Sequence, residues 1–441
     1  MTLDTTSSIA LLYRRMGFGA SPAELSAGVT AGYTATVDTL LSGLGQPDPG
    51  GDAIAPPTFA PLPTNLLQIR SDPAARQSYL QSLRTEDLEL LAWWVARMVA
   101  STNPAQEKLT LLLHGHFPTA ISKVRFAQFM YQQNQLFRTQ GAGDFQALTQ
   151  AVAADPAMLI WLDASSDKAS DPNENFAREL MERFTMGIGT YTEADVRAAA
   201  YAFTGWRLDL RTGAFSISPL DHSNAPQSFL GHTGISSGTQ VIDIVTTTPA
   251  SSRYVPSALW SHLASPVTPK SAVATDLAPG YAAGRNIGTL LKSILSHPDF
   301  LTPATAGGLI KQPIEYVVGA LRALSVPGNE IQARPEGALA VLAELGQVPF
   351  DPPSVGGWGQ NSYWLSTAAA LVRWEFAARL SALGDISMVA DAAPSGRVEA
   401  VGQLLSVPTW TKTTAKALSA ASANPQNVVT LALVSPEYVS N

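Results

Sequence analysis

The chain has 441 residues, of which 46% are apolar and only 14% charged, with a net charge of −7 and no cysteine. Globular chains average about 25% charged residues, so this one should be well packed rather than disordered, and its length suggests two or three packing units of about 100–200 residues each. The missing cysteines exclude disulfides, zinc–thiolate sites and cysteine nucleophiles. The acidic balance argues against nucleic-acid binding, which needs a basic face. No window reaches the roughly 18 apolar residues of a membrane span.

Taken in chain order, the elements read mainly as helices. The first twenty residues lack the basic start and long apolar run of a secretory signal, which points to the cytoplasm by default. Arg14-Arg15 is followed by no apolar stretch, so it reads as a pair at a helix end rather than a twin-arginine export signal. Ser21, Pro22 and Glu24 spell a cap, an N1 proline and a capping box. Residues 44–65 are rich in Pro and Gly and predict an irregular surface arm.

Thr85 is expected to cap a helix running through Trp93, Trp94 and Met98. Asn103-Pro104 starts the next, which runs into the segment LHGHF, and another spans about Ala120 to Arg138. Asp144 and Pro156 open two more, a polar loop follows Asp163, and helices begin at Asn173 and after Thr192. From Arg207 to Val245 the pattern alternates around Thr212-Gly213, predicting a β-hairpin followed by a Gly- and Ser-rich loop. Helices resume near Ser252 and continue to the C-terminus, interrupted by a second irregular stretch ending at Trp364. The expected fold is therefore mainly α. It is one helical unit over 1–441, with sub-lobes 1–206 and 246–441 joined by a small β insertion at 207–245.

Chemistry concentrates in a few segments. His114 and His116 lie two apart at a helix end, where Gly115 can break the helix and let both rings converge; His-x-His suits a metal, but a histidine can equally cap a helix C-terminus. The helix from Asn173 to Glu182 is amphipathic, with Phe176, Leu180 and Met181 on one stripe and Glu174, Asn175, Arg178, Glu179 and Glu182 opposite. That polar face is either solvated and laced with i,i+4 ion pairs or the wall of a cleft. Thr204-Gly205-Trp206 ends the following helix, Asp221-His222 could orient an imidazole, and Trp358, Tyr363 and Trp364 sit on a glycine-rich loop able to stack on a sugar or pin itself to the core. No HExxH, phosphate-binding loop, G-x-S-x-G or dinucleotide fingerprint is present.

Through these residues the chain resembles a bacterial family, Domain of Unknown Function 1800. The matching stretches are LLYRRMGFGASPAEL, EKLTLLLHGHFPTAISKV, NENFARELMERFTMGIGTYTEADVRAAAYAFTGW, SFLGHTG and PPSVGGWGQNSYW, in order over most of the chain. The resemblance implies that Asn173, Glu174, Asn175, Arg178, Glu179 and Glu182 belong to a motif, together with His116 and His222. It also implies export for many members and a neighbouring sulfatase-like protein as partner. Where the family reads His-Asp-x-Gly-x-Lys, this chain has His222-Ser223-Asn224-Ala225-Pro226-Gln227, which puts its activity or substrate apart.

Two functions are expected from these features. One is a hydrolase acting on a glycan or another polar polymer. Its catalytic residues would be Glu179, Glu182, Arg178 and Glu174, and Asn173, Asn175, Trp206, Trp358 and Trp364 would contact substrate. It would be either metal-assisted, with a divalent transition metal on His114, His116 and His222, or metal-free, with Glu179 or Glu182 as acid or base. The other is a non-catalytic binding or assembly protein whose polar helix is a buried structural network.

Overall fold

Helix starts follow their capping side chains closely. The computed structural model describes residues 3–63 and 66–440; Thr64 and Asn65, which end the expected irregular arm, lie outside the described residues. Helix α1 spans Thr5–Arg15. Helix α2, Pro22–Ala31, opens on the complete Ser21/Glu24 capping box.

Helix α3 corrects the expected start at Thr85. It runs Pro73–Ala100, and Asp72 caps it by accepting from the Ala74 and Ala75 amides. Its first half is polar and exposed, and burial begins only at Leu90. Apolar periodicity therefore reveals only the half that packs. Thr85 sits mid-helix with its hydroxyl donating back to the Gln81 carbonyl at 3.1 Å.

Helix α4 is Pro104–His116. The helix expected from Ala120 is broken: one turn at Ile121–Val124 ends at left-handed Arg125 (φ 64°), and α5 follows at Ala127–Gln140. Helix α6, Glu174–Glu179, passes directly into a π-helical turn at Leu180–Thr185. Helix α7 is Glu193–Phe203.

The expected hairpin pairs β1 (Trp206–Asp209) with β2 (Ala214–Ile217), antiparallel. In place of a plain loop, a second hairpin pairs β3 (Gln227–Phe229) with β4 (His232–Ile235). Its turn places Leu230 and Gly231 at positive φ, the requirement of a tight two-residue hairpin. The Leu230 amide is held at 2.8 Å by Asp195 of α7. A helix, Gly238–Thr247, closes the region with its own Ser237/Gln240 capping box. Helices α8 (Ser251–Leu263), α9 (Pro313–Ala323) and α10 (Thr367–Leu383) belong to the remaining, helical portion.

Two apolar cores result. One gathers residues from Ile9 to Phe300, the other gathers Phe18, Ile54, apolar residues of Leu90–Val99 and buried apolar residues between Ile314 and Tyr438. Helix α4 feeds both, through Leu109, Leu112 and Leu113 on one side and Leu111 on the other. The residues after 246 thus divide near 300 between cores that the N-terminal helices also build. The protein is mainly α, with two small antiparallel hairpins among the described residues, and no described helix is long and apolar enough to cross a membrane.

Candidate functional site

The last carbonyls of a helix need partners from elsewhere, and at the end of the NENFARELMERF segment those partners are side chains of other elements. The Tyr254 hydroxyl, from α8, donates to the Arg183 carbonyl at 2.7 Å. His116, at the end of α4, has Nε2 2.8 Å from the Phe184 carbonyl. A carbonyl only accepts, so Nε2 carries the proton and Nδ1 holds the lone pair. Inside the π turn the Thr185 hydroxyl donates to the Leu180 carbonyl at 2.6 Å, and the Met186 amide reaches back to Met181 at 2.9 Å. Such turns are frequent at functional sites.

Glu179 immediately precedes this turn and Glu182 lies within it. Glu179 is 9% exposed, and its Oε2 is buried without a hydrogen-bond partner. Burial raises its pKa, Arg183 opposes, the Glu182 carboxylate adds to the rise, and Arg178 opposes. Glu182 accepts a hydrogen bond from the Tyr191 hydroxyl, whose pKa is raised by burial and by that bond. The glycine-rich loop covers the same place. At Gly357 (φ 71°) a side chain would lie 2.6 Å from the Gly115 carbonyl, so only glycine lets the loop rest on the His114–His116 turn. From that loop Gln360 Nε2 lies 3.0 Å from His262 Nε2. His262 is drawn down to about 4 by burial, with His116 adding to the effect, Glu315 opposing and Lys108 adding.

Other expected site residues lie apart. Arg178 forms a surface fork, 2.8 Å from both carboxylate oxygens of Glu193 and 3.1 Å from Glu174. Asn173 is the cap of α6, accepting from the Asn175 amide at 2.8 Å and donating to Leu162 and Asp163 carbonyls. Asn175 itself is exposed. Trp206 packs in the core against Phe176, Phe203 and Phe215, and Trp364 is equally buried; neither presents a face to solvent. Trp358 is half-buried and packs edge-on to His114.

The histidine set does not converge. His222 has Nδ1 2.7 Å from the Thr204 carbonyl and Nε2 2.9 Å from the Ser236 carbonyl, so both nitrogens are engaged in stapling the end of α7 to the second hairpin. The neighbouring Gly205 (φ 79°) is required there, since a side chain would meet the Ser218 carbonyl and His222 below 3 Å. His114 lies in an aromatic box of Trp94, Phe137, Phe350 and Trp358, with a buried Nε2 lacking a partner. Among the described residues no three His, Asp or Glu side chains are grouped to hold a metal ion. The metal set of His114, His116 and His222 is therefore not assembled, because each ring serves a different packing task.

Burial holds His114 at about 3, against an ordinary 6.5. The folded state keeps this ring neutral while the unfolded chain takes up a proton, so stability is complete above pH 6.5 and declines as pH falls from there toward 3. In that window we expect His114→Phe to flatten the decline by about 1.4 kcal/mol per pH unit. Urea midpoints at pH 7, 6, 5 and 4 measure this; parallel curves for variant and parent would contradict it.

The sequence places Arg183 on the polar helix face but does not single out Tyr191, Tyr254, His262 or Gln360. Tyr191 and Gln360 lie within the stretches that carry the family resemblance, whereas Tyr254 and His262 carry no local signal. The profile of the family described as "Protein of unknown function (DUF1800)" matches residues 11–440. No curated protein and no solved structure matches the chain.

Proposed function

We propose a function from one premise: the chain belongs to the DUF1800 family. It is a hydrolase-type enzyme whose acid–base group is Glu179, acting on a glycan or another polar polymer. One observation carries the reading: a carboxylate oxygen of Glu179 is buried without a partner, beside a second carboxylate, at the π-helical turn. A carboxyl whose pKa is raised by burial can hold a proton for a leaving group or accept one from water. Glu182, held by Tyr191, is the second carboxylate, and exposed Arg183 is the cation to orient a polar substrate. No step is assigned to a metal, since the donor set does not fit one. Within this reading a sulfatase-like partner acts on the same polymer.

The second reading, a binding or assembly protein, is favoured by the engagement of Arg178 and His222 in structural contacts. Glu179→Gln separates the two. In a panel of chromogenic glycosides and esters the variant should lose about 10²–10⁴-fold of the hydrolysis shown by the parent, with its Tm nearly unchanged. Equal hydrolysis by both proteins rejects the enzyme reading; a large fall in Tm with no hydrolysis in either favours the structural one.

A further inference from the structure

Away from the Glu179 turn, a cavity of about 450 Å³ opens between the ends of α1 and α9 and the C-terminal Tyr438, a size in the range of small-molecule sites. Its charge is unusual for a protein interior. Arg14, Lys311 and Arg322 line it, and Arg15 and Lys108 lie buried close behind. Among the described residues Glu315 is the carboxylate that acts on Arg15, Lys108 and Lys311 together and it is already bonded to Lys108, while Glu24 and Asp48 act on Arg322. Of the lining carboxylates, Glu24 accepts the Ser21 amide at 2.7 Å to cap α2, and Asp385 accepts the Ser387 amide at 2.9 Å. Buried charges require compensation, and here the cations exceed the carboxylates.

The cationic groups also hold unused donors. Lys311 is 3% exposed, its ammonium lies 3.4 Å from the Tyr438 ring centroid, and its side chain makes no hydrogen bond among the described residues. Burial and the charges of Arg14 and Lys108 hold its pKa well below the lysine range, with Glu315 opposing. The Arg14 guanidinium reaches only the Ser406 carbonyl, at 3.3 Å, and leaves Nε buried without a partner. The Tyr438 hydroxyl is also buried and unpartnered. Arg322 spends Nη1 on the carbonyls of Met98, Val99 and Ser101. Phe18, Val99 and Leu404 supply an apolar wall.

We propose that this cavity binds an organic phosphate, with Lys311, Arg14 and the Tyr438 hydroxyl contacting the phosphate oxygens and the apolar wall receiving the carbon skeleton. A phosphate supplies negative charge to Arg14 and Lys311, which no carboxylate bonds directly among the described residues, and clustered donors on buried cations suit phosphate oxygens.

The test uses the full chain at constant ionic strength, which fixes screening, with glycerol 3-phosphate, inorganic phosphate and sulfate as probes. At about 100 times its Kd, glycerol 3-phosphate should raise Tm by about 3 °C and bind about tenfold more tightly than inorganic phosphate. Lys311→Met removes a surplus buried cation, so without ligand its Tm should equal or exceed that of the parent, while the rise with glycerol 3-phosphate disappears. Arg14→Gln is a second variant expected to weaken binding about tenfold without unfolding the chain. Equal stabilisation by phosphate and its ester would overturn the organic ligand. Indifference of the parent to all three anions, or a rise that survives both substitutions, would overturn the site.

Discussion

Glu107→Ala is expected to cost about 3–5 kcal/mol of folding stability, the loss typical of breaking a buried ion pair from one side. Glu107 is fully buried. Its Oε1 accepts from Arg97 Nε and Arg138 Nε, both at 2.7 Å, and its Oε2 from Trp94 Nε1 at 3.0 Å and Arg138 Nη2 at 2.9 Å. Removing it strands two guanidinium groups that are themselves buried. Against a total stability of about 5–15 kcal/mol, such a loss is visible in any urea titration. Asp52, which meets Arg97 at 2.8 Å with half its side chain exposed, is the control: Asp52→Ala should cost less than about 1 kcal/mol.

The pH dependence follows from the same contacts. Burial opposes ionisation of Glu107, but Arg138 and Arg97 together outweigh it and hold its pKa below 4.5. A depressed carboxylate stabilises the fold fully above its unfolded value and loses that contribution as pH falls through the folded one. The gap between parent and Glu107→Ala should therefore be widest near neutrality and close in acid below pH 4.5. A gap independent of pH would show that the side chain acts by shape alone.

The second large effect concerns Glu315 and should be asymmetric. Glu315→Met leaves Lys108, Lys311 and Arg15 buried without their shared carboxylate, and about 3–5 kcal/mol is expected to be lost. Lys108→Met breaks the same bond but removes one of the surplus cations, so its cost should be less than half as large. The double variant should fall near the Lys108→Met value rather than at the sum of the two, because contacting residues do not add. Equal losses from the two single substitutions, measured by equilibrium denaturation, would contradict a cation surplus in this core.

Much of the local structure was legible in short stretches. Ser21-Pro22-Ala23-Glu24 and Asp155-Pro156 mark helix starts because the cap and the N1 proline act within four residues, and Pro104 marks one through the N1 proline alone. The first hairpin was legible for the same reason, its alternation turning at Thr212-Gly213. Two misreadings have different causes. The exposed half of α3 shows no apolar rhythm, since propensity and capping rather than packing hold it. The break at Arg125 depends on a left-handed residue that nothing in ISKVRF announces.

By itself the sequence determined the mainly helical class, the family and the segment where Glu179 and Glu182 lie, because capping, periodicity and motif spacing are local properties of the chain. Tertiary structure alone decided which polar groups share a place. Tyr254 meets the π turn across 71 residues of chain, Gln360 meets His262 across 98, and Lys108 meets Glu315 across 207. The histidines show the same limit. Identical rings at His114, His116 and His222 became an aromatic-box residue, a helix-end donor and a hairpin staple. Each role is set by the neighbours that burial brings to the ring, and those neighbours come from elements the local sequence does not contain.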